Sequence, residues 1–199
     1  MDEPKLPDWE TLYRDQDVEK MPWFTPVLDH DFAEALERFK VRSGRVLDLG
    51  TGPGTQAIAL AELGFGVVAS DISGSAVKKA EALAKKKGLA IRFLEDDILA
   101  TKLTAPFDIV FDRGIFHIFP PAKRADYVRN VGGLLREGGY LFLKCFSDQE
   151  PPGEGPYRFS EEDIRMSFEP VFGIRVVRAS LFKGVRQPDP RALFCVLQK

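Results

Sequence analysis

The stretch Arg45–Thr55, RVLDLGTGPGT, constrains the fold more than any other part of the chain. Val46, Leu47 and Leu49 form the apolar centre of a short strand, and Asp48 sits at its carboxyl end. Gly50, Gly52 and Gly54 then carry the chain through a tight turn into AIALAEL, which reads as a helix. Strand, glycine turn and helix open a βαβ unit, in which missing Cβ atoms let the backbone approach a ligand closely. The spacing is G-x-G-x-G, unlike the dinucleotide G-x-G-x-x-G and unlike a P-loop, which ends in Gly-Lys-Ser/Thr. It argues against a nicotinamide oxidoreductase.

Beyond the turn, strand-like and helix-like runs alternate. Val67–Ser70 is a strand ended by Asp71, whose carboxylate can accept hydrogen bonds from both hydroxyls of a ribose. Ser75–Lys87 is a helix with Val77, Ala80, Leu83 and Ala84 inward and its lysines solvated. Ala90–Leu94 is the third strand, tipped by Glu95, Asp96 and Asp97. These acids are consecutive and no histidine accompanies them, so no metal is expected there, and one carboxylate reading an exocyclic amine fits better. Phe107–Phe111 is the fourth strand, followed by Asp112, Arg113, Gly114 and IFHIFP. A helix over Ala122–Leu135 then reaches Gly138-Gly139, which turns the chain into the fifth strand, YLFLKCF. Ile174–Ser180 and Ala192–Leu197 have no helix between them and pair as a hairpin. The expected class is α/β, a mainly parallel sheet with helices on both faces and an antiparallel edge. Ligands bind at the carboxyl ends of such strands, which places Gly50–Gly54, Asp71, Asp97 and Asp112 around one crevice.

The flanking segments add less. Residues 1–25 are polar but carry Trp9, Tyr13, Trp23 and Phe24, and both tryptophans of the chain fall there. Such a segment either packs on the flank or folds over the pocket as an aromatic arm. Leu28–Phe39 is a helix with Leu28, Phe32, Ala35, Leu36 and Phe39 on one face and His30 near its start. Ser147–Phe159, rich in Pro and Gly, is the longest irregular stretch inside the body, and Ser160 caps the helix after it. A net charge of -2 gives no basic footprint for nucleic acid. No apolar run reaches membrane-span length, and the acidic N-terminus is unlike a signal peptide. Cys145 and Cys195 sit in apolar runs as reduced core residues. These features predict one cytoplasmic domain over the 199 residues, monomeric or homodimeric, with no membrane partner.

Taken in order, DLGTGPG, ASD, EDDI, FDIVFDRG and REGGYLFLKCF resemble the five successive motifs of the class I S-adenosylmethionine-dependent methyltransferases. The resemblance covers roughly residues 22–199. It implies a Rossmann-like sheet of order 3-2-1-4-5-7-6 with strand 7 antiparallel, and S-adenosyl-L-methionine as cofactor, leaving S-adenosyl-L-homocysteine. Carried over by residue, it implies that Gly50, Thr51, Gly52 and Gly54 hold the methionine moiety, with Asp48 orienting the turn or receiving the amino group. Asp71 would hold the ribose, Ile72 would lie against the adenine, and Asp97 with the Ile98 backbone would read its edge. Asp112 and Arg113 would line the methyl-donor side. Pro53 inside the turn departs from the pattern but leaves the spaced glycines in place.

WETLYRDQDVEKMPW and the pair VFDRG, IFHIFP resemble more loosely the small-molecule branch of thiopurine, thiol/halide and tellurite-resistance methyltransferases. That branch closes an N-terminal aromatic segment over the site, which makes Trp23 and Phe24 the covering residues. Methyl transfer needs alignment and exclusion of water more than acid–base equipment. His117 is the best acid–base candidate, with packing as its plain alternative. Arg113 and Arg158 are candidates to pair with an anionic acceptor, and Phe116, Phe119, Tyr157 and Phe159 to wall it, although core packing is expected for at least two of these rings. The expected activity is methylation of a small molecule, with a thiol or another soft nucleophile favoured. A protein lysine or other N-methyltransferase and a non-catalytic cofactor-binding protein are the alternatives.

Overall fold

A computed structural model describes residues 5–104 and 106–199. In chain order the elements are α1 (Trp9–Asp15), α2 (His30–Arg38), β1 (Arg45–Leu49), α3 (Thr55–Glu62), β2 (Gly66–Asp71), α4 (Gly74–Lys86), β3 (Arg92–Glu95), β4 (Phe107–Arg113), α5 (Pro121–Leu134), β5 (Leu135–Phe146), α6 (Glu161–Phe168), β6 (Gly173–Leu181) and β7 (Arg191–Gln198). The seven strands form one sheet in the order β3-β2-β1-β4-β5-β7-β6. β3, β2, β1, β4 and β5 run parallel, and β7 is antiparallel to both β5 and β6. This is the Rossmann-like order expected from the motifs.

Alternation along β1 explains the layering. Val46 points into a cluster with Phe32, Leu60, Ile109, Phe111, Phe142 and Phe194, while Leu47 and Leu49 point to the other face with Val110, Phe116, Tyr127, Leu141 and Phe168. A strand buried on both sides needs an apolar residue at nearly every position, which is why RVLDL reads as a run.

Two boundaries differ from expectation for physical reasons. β5 begins at Leu135, straight out of α5, so Gly138 and Gly139 lie inside the strand and not before it. There the register shifts, Phe107 pairing with Leu135 but Ile109 with Tyr140. A Cβ on Gly139 would stand 3.1 Å from the Asp108 carbonyl oxygen, so the glycine marks a close strand approach within a bulge. The helix expected from Leu28 starts at His30, because Asp29 caps it by accepting from the Asp31 N–H.

Residues 9–24 pack as a separate small core, with Tyr13, Met21 and Ala76 buried and Trp9, Leu12, Trp23 and Phe24 around them. This arm lies along α4. Glu10 fixes it there, accepting from Ser73 Oγ at 2.7 Å, Ser75 N at 3.0 Å and Ser75 Oγ at 2.6 Å. The Ser75 hydroxyl, foremost among these donors, holds the Glu10 carboxyl down at about 2.

Candidate active site

The carboxyl ends of β1, β2 and β4 open into a cavity of about 390 Å³, within the range of small-molecule sites. Its floor is the glycine turn. Gly50, Gly52 and Gly54 have φ of 66°, 52° and 80°, in the left-handed region that favours glycine. A Cβ on Gly50 would overlap Ile115 at 2.0 Å, and one on Gly52 would meet the Tyr13 hydroxyl at 2.7 Å. Gly54 serves differently from expectation. It caps α3 and faces Ala80 of α4, and it does not line the cavity.

Carboxylates order the turn. Asp71 accepts from Gly52 N at 2.8 Å and Ser73 N at 2.9 Å, and burial raises its pKa. Asp48 accepts from Thr51 Oγ at 2.6 Å, and burial pushes it up to about 6. Ile72, more than half exposed, and Ile98 form apolar walls beside Asp96 and Asp97. Asp97 spends one oxygen on the Leu99 N–H. A purine between two aliphatic walls with a carboxylate at its edge fits this end chemically.

Asp112 departs from the expected place on the lining. It is fully buried below the cavity, accepting from Gly114 N at 2.9 Å, Ile115 N at 2.6 Å, Phe116 N at 2.9 Å and the Tyr127 hydroxyl. Burial raises it to about 6. It shapes the 113–118 turn and has no oxygen left for a ligand. Arg113 does line the cavity and ties its cover together. Nε donates to Asp29 at 2.9 Å, while the two Nη atoms donate to the carbonyls of Trp23 and Lys183. Behind it, Asp29 also accepts from the buried Lys144 ammonium at 2.8 Å, and Lys144 reaches Asp31.

His117 lines the cavity, and its Nδ1 accepts from Phe146 N at 3.1 Å. Burial, reinforced by the Arg113 charge, pushes it down to about 3, so it is a neutral imidazole. Of the rings expected to wall an acceptor, Phe119 lines the cavity, whereas Phe116 and Phe159 are fully buried in the core and Tyr157 packs beside Arg124. Arg158 turns back to the carbonyls of Pro151 and Gly153. Tyr13 of the aromatic arm also lines the cavity, and the wall is completed by residues not anticipated, among them Phe146, Phe182, Arg186 and Pro190. Phe182 through Pro190 form an irregular turn whose Arg186 N–H reaches the Pro22 carbonyl at 3.3 Å. Loop 147–159 is held beside it by Glu150, which accepts from Arg191 N at the start of β7 at 2.7 Å and faces the Arg186 guanidinium at 3.7 Å.

Comparison with known proteins agrees with this geometry. Residues 46–139 match the family described as "Methyltransferase domain". The chain is 31% identical over 172 residues to "Probable thiol methyltransferase 2" of Arabidopsis thaliana, spanning 82% of this chain and 72% of that protein. It is 29% identical over 165 residues to "2-heptyl-1-hydroxyquinolin-4(1H)-one methyltransferase" of Mycobacteroides abscessus, spanning 79% of this chain and 72% of that one. A structure solved for the conversion of a disulfide bond into a thioacetal group during echinomycin biosynthesis superposes with a TM-score of 0.83 at 26% identity, covering 96% of this chain and 91% of its own. With the seven-stranded order, the glycine floor and the acidic strand tips, these similarities carry one conclusion: the chain belongs to the class I S-adenosylmethionine-dependent methyltransferases and is related to their small-molecule members.

Proposed function

We propose that this enzyme methylates a small acceptor that arrives with its nucleophilic atom already ionised, a thiol as its thiolate before all. The observation that carries this is the state of His117, a neutral imidazole whose Nδ1 lone pair is taken by the Phe146 N–H, so that its proton sits on Nε2 and no ring nitrogen is left to accept another. Asp112 is equally spent below it. Neither group is free to take a proton, so an alcohol or an ammonium gains no help here, whereas a thiolate needs none.

The residues divide accordingly. Asp71 holds the ribose hydroxyls, Ile72 and Ile98 sandwich the adenine, and Asp97 with the Ile98 backbone reads its edge. The glycine turn, with Thr51 and Asp48, takes the methionine portion. When bound, S-adenosylmethionine supplies a methyl group on a sulfonium, and S-adenosylhomocysteine is what remains. The aromatic wall of Trp23, Phe146 and Phe182 favours a cation at the donor end and an apolar acceptor beyond it. Arg113 positions the cover over the reacting groups, and the arm, fixed by Glu10, excludes water; residues 1–4 of the expected arm lie outside the described residues. Because the cavity is roofed by Trp23 and the 182–190 turn, it suits a free small molecule better than a protein side chain. The names of the thiol and quinolone relatives point the same way. A cytoplasmic location accords with this chemistry; among the described residues no helix is long and apolar enough to cross a membrane.

The test is a turnover panel of thiols, halides, phenols and amines, read as S-adenosylhomocysteine formed. Thiols of different acidity should give kcat/KM profiles whose rising limb tracks the pKa of each acceptor. A limb fixed at one pH for every acceptor would place a base on the enzyme and overturn the proposal.

A further inference from the structure

The loop between β5 and α6 closes on itself. Ser147 bridges Phe159, and the Asp148 N–H donates to the Phe159 carbonyl at 2.9 Å. Inside it, the Arg158 guanidinium donates to the carbonyls of Pro151 and Gly153 at 2.8 and 3.3 Å. A loop whose ends meet and whose own side chain fills it behaves as one compact unit. Its tip, Glu154, Gly155 and Pro156, lines the cavity, and Glu154 is exposed as well, which sets it on the rim.

The loop docks beside the acceptor end at Tyr157, whose N–H donates to the His117 carbonyl at 2.8 Å. Arg124 of α5, half-buried, secures that joint. Its Nε donates to the Phe119 carbonyl at 3.2 Å, and its guanidinium lies over the rings of Tyr157 and Phe159, 4.9 and 4.6 Å from their centroids. One side chain thus ties the cavity wall at Phe119, the loop at Tyr157 and the core at Phe159. A planar guanidinium can cover rings with its face while its edge donates, and an ammonium has no such face. The other side of the loop is held separately, by Glu150 on the Arg191 N–H.

We infer that Arg124 determines acceptor specificity: by clamping the 147–159 loop to the turn that carries His117 and Phe119, it fixes the width of the mouth through which an acceptor enters. The inference rests on the small-acceptor reading proposed above. Arg124 does not line the cavity, so it is a positioning residue and acts through Pro156 and Phe119. With the clamp in place a wide acceptor is refused at the rim. Without it the tip is free while Glu150 keeps the rest of the loop in place, and a wide acceptor passes.

Arg124→Met keeps the length of the side chain and removes the guanidinium. Thiophenol and 2-naphthalenethiol, which differ in width and little in acidity, are the paired acceptors. The ratio of kcat/KM, wide over narrow, should rise about fivefold in the variant, as for loss of a cation stacked on rings. An unchanged ratio, with both thiols losing alike, would make Arg124 a purely structural residue and overturn the inference. S-adenosylhomocysteine affinity by calorimetry should change by less than about twofold, and a loss of about tenfold would put the effect at the cofactor end and overturn it too. If the unaltered protein methylates neither thiol, the thiol reading fails, and the clamp is judged by hydrogen exchange alone. The Tyr157 amide should exchange about fivefold faster in Arg124→Met whatever the acceptor, and an unchanged rate overturns the inference.

Discussion

The floor and the cover of the cavity are built by different physics. The floor is the set of strand tips on β1, β2 and β4, fixed by a sheet whose two faces are packed with fully buried Val, Leu, Ile and Phe. The cover is the arm, loop 147–159 and the 182–190 turn, held by one small aromatic core and by individual polar contacts from Glu10, Arg113 and Glu150. A packed sheet cannot shift without opening voids, whereas a hydrogen-bonded cover opens locally at little cost. Altering the floor should therefore cost stability together with binding, and altering the cover should cost turnover alone.

The largest expected effect lies where the two regions meet. Lys144→Met leaves Asp29 and Asp31 buried with one cation fewer, and should lower stability by about 3–5 kcal/mol in urea denaturation. A loss well below that would show that Arg113 and Arg178 suffice for both acids. On the floor, Gly54→Ala sets a Cβ 2.7 Å from that of Ala80 at a φ of 80°, and should cost about 1–3 kcal/mol, seen as a lower melting temperature. Asp71→Ala should weaken S-adenosylhomocysteine by about tenfold or more in calorimetry, since a charged acceptor is worth roughly 1.5–3 kcal/mol. The smallest effect on stability belongs to the cover. Glu10→Gln should move the melting temperature by only about 1 °C while hydrogen exchange in α1 speeds up and kcat/KM falls. Because the Glu10 carboxyl sits near 2 against its ordinary 4.5, its contribution is complete above about pH 4.5 and is lost only as pH falls toward 2. The arm should stay protected at pH 5 as it is at pH 8.

The same division decides what could be read from the sequence. The floor is legible because each part carries its own pattern: apolar runs for strands buried on two faces, glycines where φ is positive, acids at strand tips. Asp48, Asp71, Asp97, Arg113 and His117 all come to the cavity from that pattern. Asp112 has the same signature as its neighbours, and only the three N–H groups curling back onto it reveal that its oxygens are taken. The cover is less legible. Phe182, Arg186 and Pro190 stand in a turn with no periodicity, and their place is set by contacts with Pro22 and Trp23, distant in sequence. Lys144 did leave a signal, a lysine at the centre of LFLKCF, where a cation belongs only if acids meet it. Those acids lie at the start of α2, which sequence spacing alone does not bring near β5.

The two tryptophans of the chain stand edge to face in the arm, 5.9 Å between ring centroids, and Trp23 also meets the Tyr13 hydroxyl. The sheet and its helices carry none, so the intrinsic indole emission of this protein comes from a single segment of the cover. An experimenter has, without attaching any dye, an optical signal that ignores the body of the molecule and reports only on the arm that lines the cavity.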